Sequence, residues 1–234
     1  MFKRLIASDY DGTLYRNGQI SKKDRDAIHN WQQAGGLFGI VTGRDITFPQ
    51  HMVSNGITCD FFILYNGALL MDKDCNILRG SKMPYEMYIA LRDVFASYAA
   101  TLPPDTIFFE NDKEDGEDFY QYNARFPTHE SAAAFAEKLN RQFHGQINAL
   151  VNGLYINVVK YGESKANGVK HALAAFGLPE DAAAVVGDDL NDIDMIVTLD
   201  GWAMASGRPE VVAKARRTCE SIADLIAQLM AIEG

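Results

Sequence analysis

The sequence predicts an α/β fold: a Rossmann-like, doubly wound parallel sheet that carries a smaller, inserted α+β domain. Three observations support this prediction. Apolar runs alternate with helical patterns over the first third of the chain, an α-β-β-α-β-β order replaces this alternation over residues 80–161, and the alternation then returns. With 234 residues, of which 47% are hydrophobic and 23% charged, the chain is long enough for a core with a companion domain.

Short, uncharged apolar runs predict three strands in the first third, at residues 5–8, 37–41 and 61–64. Ser21 predicts the start of the helix between the first two strands, and Gly35-Gly36 predicts its end. A second helix is expected from about residue 45 to residue 54, with Pro49 in its first turn. Strand–helix–strand alternation gives a parallel sheet with right-handed crossovers.

The middle of the chain has a different pattern. An apolar stripe predicts a helix over residues 84–100, and Thr128 predicts the start of a second one. Two hairpins are expected, the first from residues 106–110 and 119–122 and the second from residues 146–151 and 154–159 around Asn152-Gly153. We therefore expect an open-faced α+β domain over residues 80–161, inserted into a core formed by residues 1–79 and 162–234.

The α/β alternation returns after Gly162. The expected elements are a helix over residues 164–176, a strand at 183–186, a helix near 190–199, a strand at 203–205 and a final helix over 221–232. Acidic residues follow two of the predicted core strands: Asp9 and Asp11 after the first, and Asp188, Asp189 and Asp192 after the strand at 183–186.

These carboxylates are expected to meet at one edge of the sheet, because ligands of open parallel sheets bind outside the carboxyl ends of the strands. Carboxylates that converge are costly unless a hard cation neutralises them, and a site with few carboxylates and open positions suits Mg²⁺. Thr42-Gly43 offers a hydroxyl and backbone N–H groups for an anion at the same edge, and Lys165 offers a positive charge. Arg44 is expected to be a surface or supporting residue.

In this combination the chain resembles the haloacid dehalogenase superfamily of phosphatases. Its four motifs occur in order, as Asp9-Tyr10-Asp11-Gly12-Thr13-Leu14, Val41-Thr42-Gly43-Arg44, Lys165 with Gly168, and Gly187-Asp188-Asp189-Leu190-Asn191-Asp192. Asn66-Gly67, Met195 and Ala203-Met204 resemble the Cof-type branch, and the resemblance implies that the inserted domain, residues 80–161, is a cap domain of subclass IIB. The chain departs from that branch at Ser206-Gly207, where Asn-Ala is usual.

The resemblance implies a role for each motif residue. Asp9 would be the nucleophile that forms an aspartyl-phosphate, and Asp11 would be the general acid and base. Mg²⁺ would be held by Asp9, by Asp188 and by the backbone carbonyl of Asp11. The phosphate oxygens would be bound by Thr42, Gly43, Lys165 and Asn191. Asp189 and Asp192 would orient Lys165 and the metal-bound waters.

The expected function is therefore Mg²⁺-dependent hydrolysis of a small phosphorylated metabolite, such as a sugar phosphate. Two alternatives remain open. A sugar phosphomutase of the same superfamily shares the Asp-x-Asp motif. A phospho-receiver signalling module also uses acidic residues, Thr and Lys, but receivers are about half this length and carry no inserted domain.

Charge and cysteine content restrict the partners. The chain has 22 Lys and Arg against 31 Asp and Glu, a net charge of −9, which would repel nucleic acid and anionic lipid. Its three cysteines are widely spaced and form no CxxC pair, as expected for a reducing compartment. No apolar run is long enough for a signal peptide or a membrane span. We therefore expect a cytoplasmic enzyme that binds neither nucleic acid nor membrane.

Overall fold

A computed structural model describes residues 4–103, 108–109 and 116–233. The chain forms two compact units, one comprising Met1–Arg79 with Lys165–Gly234 and the other Gly80–Ser164. The strands of the described residues, in chain order, are β1 (Leu5–Ser8), β2 (Leu37–Val41), β3 (Phe61–Leu64), β4 (Leu69–Asp72), β5 (Ile77–Gly80), β6 (Phe108–Phe109), β7 (Gln121–Arg125), β8 (Ile147–Asn152), β9 (Tyr155–Lys160), β10 (Ala183–Gly187), β11 (Trp202–Met204) and β12 (Arg217–Cys219). The helices are α1 (Lys22–Gln33), α2 (Phe48–Ser54), α3 (Tyr85–Ala99), α4 (His129–Gln142), α5 (Lys165–Ala175), α6 (Ile193–Thr198), α7 (Pro209–Val212) and α8 (Ile222–Glu233).

The larger unit has a mostly parallel sheet in the order β12-β11-β10-β1-β2-β3-β4-β5. Strands β12 to β3 pair in parallel, and β4 pairs with β3 antiparallel. The predicted α/β class is thereby confirmed. The register aligns Ser8 with Ile40 on one side and with Val186 on the other. The residues that follow β1, β2 and β10 therefore emerge together at one edge of the sheet.

Several elements of the larger unit differ from the expectation. Strands β4, β5 and β12 and the short helix α7 were not expected. Helix α2 begins at Phe48 rather than near residue 45, because the side chain of Asp45 accepts hydrogen bonds from the backbone N and the hydroxyl of Thr47 and forms a turn there. The expected helix at 190–199 is divided into a 3-10 turn, Leu190–Asp192, and α6.

The smaller unit has the expected α-β-β-α-β-β order, with an antiparallel sheet in the order β6-β7-β9-β8. Helices α3 and α4 cover one face of this sheet, and the interior is rich in aromatic side chains, including Phe95, Tyr122 and Phe135. The capping box at Thr128 begins α4 as predicted.

Strand positions in the smaller unit shift by a few residues. Strand β7 begins at Gln121, since Phe119 instead bridges to Met83. Asn152 is the last residue of β8, so that the hairpin turn lies at Gly153-Leu154, where Gly153 has a φ of 57°. Most of the expected strand at 106–110 and of the acidic stretch that follows lies outside the described residues. In the described part of the chain, no helix is long and apolar enough to cross a membrane.

Candidate active site

Three carboxylates meet where β1 and β10 end. One oxygen atom from each of Asp9, Asp188 and Asp192 lies within 4.8 Å of the others. Asp9 follows β1 directly, and its backbone N donates to the carbonyl of Val186 on the neighbouring strand at 2.9 Å. Burial raises the pKa of the Asp9 carboxyl well above its ordinary value; Lys165 opposes this shift, whereas Asp192 and Asp188 add to it. The cluster is therefore short of positive charge.

Lys165 is the buried cation of this site. Its Nζ lies 2.7 Å from Asp9 Oδ1 and 2.6 Å from Asp192 Oδ1, and the residue is only 2% exposed. Burial lowers the pKa of Lys165, but the ion pairs with Asp192 and Asp9 outweigh it, so that this pKa lies above its ordinary value. Lys165 therefore acts here as a fixed positive charge.

The position of Lys165 depends on how helix α5 packs. Lys165 is the first residue of α5, and the backbone N of Ala166 donates to Asp194 Oδ2 at 3.3 Å. A Cβ at Gly168 would lie 2.9 Å from the Cα of Gly67, so glycine at this position lets α5 approach the turn that follows β3. This close approach brings Lys165 to the edge where Asp9 lies.

The side chain of Asp188 is fixed by the loop that follows β1. Thr13 Oγ1 donates to Asp188 Oδ1 at 2.6 Å, and the Asp188 carboxylate fills the space that a Cβ at Gly12 would occupy. Burial raises the pKa of Asp188 to about 6, the hydrogen bond from Thr13 opposes this shift, and Asp192 adds to it. The chemistry of the donor set, carboxylate oxygens with too little positive charge, fits a hard divalent cation.

Asp192 and Asp189 have different partners. Asp192 is fully buried; in addition to Lys165, its Oδ2 accepts from the backbone N of Asp188 at 2.9 Å and of Asp189 at 3.1 Å. Asp189 Oδ1 instead accepts from the backbone N of Leu190 at 2.6 Å and from Arg208 Nη1 at 3.1 Å. The structure thus places Asp192 against Lys165, and Asp189 against Arg208. Asn191 lies half-buried in the 3-10 turn between them.

Thr42 and Gly43 lie on the neighbouring loop, directly after β2. Thr42 is buried, and its backbone N donates to the carbonyl of Ile63 at 2.9 Å. A Cβ at Gly43 would lie 2.9 Å from Nδ2 of Asn66, a fully buried residue with a φ of 53°. The backbone N of Asn66 donates to the carbonyl of Thr42 at 3.0 Å. The loops after β2 and β3 therefore support each other.

The Asp11 carboxylate binds the guanidinium of Arg44, outside the acidic cluster. Arg44 Nε lies 2.8 Å from Asp11 Oδ2, and Arg44 Nη2 lies 2.7 Å from Asp11 Oδ1. The guanidinium lies over the rings of Tyr10 and Phe48, at 5.2 and 5.5 Å from their centroids. The hydrogen bonds with Asp11 raise the pKa of Arg44 above its ordinary value. This pair was not predicted, because residue spacing carries no information on side-chain direction.

Other supporting residues were also missed. Thr13, Asn66 and Asp194 belong to motifs or to their immediate neighbourhood, and that position is the signal that could have indicated them. Arg208 has no such signal, since it follows Ser206-Gly207, where the chain departs from the usual pattern.

Comparisons with known proteins identify the family of this chain. The family of haloacid dehalogenase-like hydrolases matches the chain in two overlapping segments, residues 6–113 and 96–227. Among curated proteins, the 5-amino-6-(5-phospho-D-ribitylamino)uracil phosphatase YcsE of Bacillus subtilis is 24% identical over 230 residues, which cover 94% of this chain and 90% of that protein.

Solved structures share the fold. A haloacid dehalogenase-like hydrolase from B. subtilis superimposes with a TM-score of 0.84 at 17% identity, over 97% of this chain and 99% of that one. BT1666 from Bacteroides thetaiotaomicron, described among phosphatases of the haloalkanoate enzyme superfamily, has a TM-score of 0.77 at 19% identity, over 99% and 95% of the two chains. Since the family match extends over nearly the whole sequence, the chain belongs to the haloacid dehalogenase-like hydrolases.

Proposed function

We propose that this chain is a Mg²⁺-dependent phosphatase that hydrolyses a small phosphorylated metabolite through an aspartyl-phosphate on Asp9. The observation that carries this proposal is the environment of the Asp9 carboxylate. It is buried at the carboxyl end of β1, bound by Lys165 at 2.7 Å, and adjacent to Asp188 and Asp192. A carboxylate held in one orientation beside a cation is suited to attack a phosphorus atom whose negative oxygens the cation attracts.

The cation site follows from the same residues. The carboxylates of Asp9 and Asp188, with the backbone carbonyl of Asp11, would hold Mg²⁺. When bound, the ion neutralises the carboxylates and the phosphoryl oxygens. Lys165, the hydroxyl of Thr42, the backbone N–H of Gly43 and the amide of Asn191 would bind the phosphate oxygens. Asp192 would orient Lys165, with which it is in direct contact.

Two steps complete the reaction. An oxygen of Asp9 attacks the phosphorus and the bond to the leaving oxygen breaks, while Asp11 gives that oxygen its proton. Water then attacks the aspartyl-phosphate, Asp11 takes a proton from it, and phosphate leaves with the Asp9 carboxylate restored. Both oxygens of Asp11 accept from Arg44, so Arg44 is placed to orient the carboxyl group that exchanges the proton.

Selection of the substrate is assigned to the smaller unit, Gly80–Ser164, as a cap domain, because every motif residue named above lies in the larger unit. The name of YcsE describes a phosphatase of a ribityl phosphate, which supports a small, hydroxyl-rich phosphomonoester as the substrate class. A panel of phosphorylated metabolites, assayed with Mg²⁺ and with EDTA, tests the proposal. Trapping of phosphate on Asp9 by rapid quench and peptide mass spectrometry tests the intermediate, with Asp9→Asn as the control. Turnover of the wild type in EDTA would contradict the metal requirement.

A further inference from the structure

The loop after β11, in which Ser206-Gly207 departs from the pattern of the Cof-type branch, contacts the Asp188–Asp189 segment. We propose that Gly207 and Arg208 are positioning residues that hold Asp188 where it binds the divalent cation. This inference rests on the proposed function to the extent that it requires a cation at Asp188.

The first contact is made by the backbone. The N–H of Arg208 donates to the carbonyl of Asp188 at 2.9 Å, and the N–H of Gly207 donates to the carbonyl of Met204 at 2.9 Å, closing a turn at the end of β11. The peptide that follows the proposed metal ligand is therefore tied to a neighbouring strand of the sheet. Rotation of this peptide would move the Asp188 carboxylate.

The second observation is the close approach of Gly207. A Cβ at this position would lie 3.0 Å from the carbonyl O of Asp188, 3.1 Å from its Cα and 2.9 Å from the carbonyl O of Met204. All three neighbours are backbone atoms, which cannot turn aside as the end of a flexible side chain can. The Ser206-Gly207 pair thus has a structural consequence: it lets the loop lie closer to Asp188 than an alanine at position 207 would allow.

The third contact is made by the Arg208 side chain. Its Nη1 donates to Asp189 Oδ1 at 3.1 Å, and the same oxygen accepts from the backbone N of Leu190 at 2.6 Å. The Arg208 and Asp189 side chains are 39% and 29% exposed, so solvent weakens the charge attraction but leaves the hydrogen bond in place. Asp189 is therefore held from two sides, and with it the segment that starts at Asp188.

A positioning role of Arg208 and a purely electrostatic one predict opposite effects on metal affinity. Removing the positive charge of Arg208 makes the surroundings of the acidic cluster more negative, which by charge alone would tighten cation binding. Loss of a positioning contact instead weakens cation binding, because the Asp188 carboxylate then samples other orientations. A purely structural role would lower stability and leave the affinity of the folded protein unchanged.

Mn²⁺ binding to the metal-free full chain, measured from the free-ion signal in electron paramagnetic resonance, separates these cases. We expect Arg208→Gln and Arg208→Ala to raise the Kd for Mn²⁺ about 10-fold, the lower end of what loss of an outer contact to a metal site costs. Gly207→Ala should raise it further, since the Cβ displaces the Asp188 backbone. The matched control is Arg216→Ala, which removes the exposed ion pair between Arg216 and Asp200, 3.6 Å apart, and should leave the Kd unchanged.

Unchanged or tighter Mn²⁺ binding in the two Arg208 variants would overturn the inference while leaving the proposed phosphatase function intact. A wild type that binds no Mn²⁺ would instead overturn the cation site itself, and this inference with it. If Gly207→Ala does not fold, the Arg208 variants decide the question.

Discussion

Arg44 binds both carboxylate oxygens of Asp11, with Nε 2.8 Å from Oδ2 and Nη2 2.7 Å from Oδ1. A bidentate pair of this kind fixes the direction of the carboxylate as well as its position. The guanidinium is itself held over the rings of Tyr10 and Phe48. The pair therefore holds the Asp11 carboxylate in one direction, which is the orientation that the proposed acid step would use.

The role of Asp11 predicts a dependence on the leaving group. Asp11→Asn retains the nucleophile Asp9 but removes the proton donor, so hydrolysis of alkyl and sugar phosphates should slow by about 100-fold or more. The kcat for p-nitrophenyl phosphate should fall far less, because its leaving group departs without a proton. The measurement is kcat across a series of aryl and alkyl phosphates. Equal losses across the series would contradict the acid role.

Arg44→Lys tests the orientation of Asp11 separately. Lysine keeps the positive charge but cannot bind both carboxylate oxygens in one plane. We expect the same selective loss on alkyl phosphates as in Asp11→Asn, but smaller, with KM for p-nitrophenyl phosphate unchanged. The double variant Arg44→Lys/Asp11→Asn should be no slower than Asp11→Asn alone, since Arg44 acts through Asp11. Additive losses would show that Arg44 acts independently of Asp11.

Lys165 should contribute to stability as well as to catalysis. Lys165→Met leaves the buried carboxylates of Asp9 and Asp192 without their shared cation, and breaking a buried ion pair costs about 3 kcal/mol. Lys165→Met/Asp192→Asn removes one of these carboxylates and should recover part of the stability, yet remain inactive. Urea denaturation in EDTA measures both effects. A double variant no more stable than Lys165→Met would contradict this account.

The raised pKa of Asp188, about 6, predicts how the metal-free protein responds to pH. An acid whose pKa is higher in the folded state than in the unfolded chain binds protons preferentially in the folded state. Its contribution to stability is therefore present below the unfolded value of 3.8 and is lost as pH rises through about 6. Asp188→Asn should raise the Tm in EDTA by about 2–4 °C at about pH 8 and by less at about pH 5.

Divalent cation should reverse this trend in the wild type, because the ion binds the deprotonated carboxylate. Added Mg²⁺ should raise the wild-type Tm more at about pH 8 than at about pH 5, and should raise that of Asp188→Asn little at either pH. Equal Mg²⁺ stabilisation of both proteins would place the cation elsewhere. Thermal scans of the two proteins at the two pH values provide the comparison.

The parts of the fold that were predicted correctly have a strong local signal. Strands β1, β2 and β3 are uncharged apolar runs, and α1 and α4 begin at a serine and a threonine whose side chains accept backbone hydrogen bonds. Strand β12 was missed because Arg217-Thr218-Cys219 has no apolar run; it is a strand only because it pairs with β11. Tertiary pairing of this kind overrides local propensity.

The candidate site shows the same limit. The motifs predicted that Asp9, Asp188, Asp192 and Lys165 belong to one site. The structure places one oxygen of each carboxylate within 4.8 Å of the others, and Lys165 binds Asp9 and Asp192. The partners of Asp11 and Asp189 were not predictable in this way. Both are arginines whose side chains reach across a loop, and a long, flexible side chain leaves no periodic signal in the sequence.

The face of the smaller unit's sheet opposite the helices carries polar side chains, of which Gln121 and Asn157 are buried. Gln121 and Asn123 alternate on β7 with the core residue Tyr122, and Asn157 lies opposite Asn123 on β9. Asn123 Oδ1 accepts from Gln121 Nε2 at 2.8 Å and from Asn157 Nδ2 at 2.7 Å. Amide groups offer both donors and acceptors to hydroxyl groups, as the proposed hydroxyl-rich substrate would require.

We therefore expect Asn123→Ala and Asn157→Ala to change KM and the ranking of phosphorylated metabolites, since differences between substrates arise where their hydroxyl groups are bound. The kcat for p-nitrophenyl phosphate, which lacks those hydroxyls, should stay within about a factor of three of the wild type if the residues of the larger unit perform the chemistry. Loss of the shared acceptor in Asn123→Ala should also lower stability by about 1–2 kcal/mol, so all assays belong well below the Tm of each variant.

The matched control is Gln142→Ala, which removes an exposed amide at the end of α4. It should change neither the ranking of substrates nor the stability of the protein. If both Asn variants keep the wild-type ranking of substrates while remaining folded, this face of the sheet does not select the substrate, and the assignment of Gly80–Ser164 as the specificity domain would have to rest on other residues.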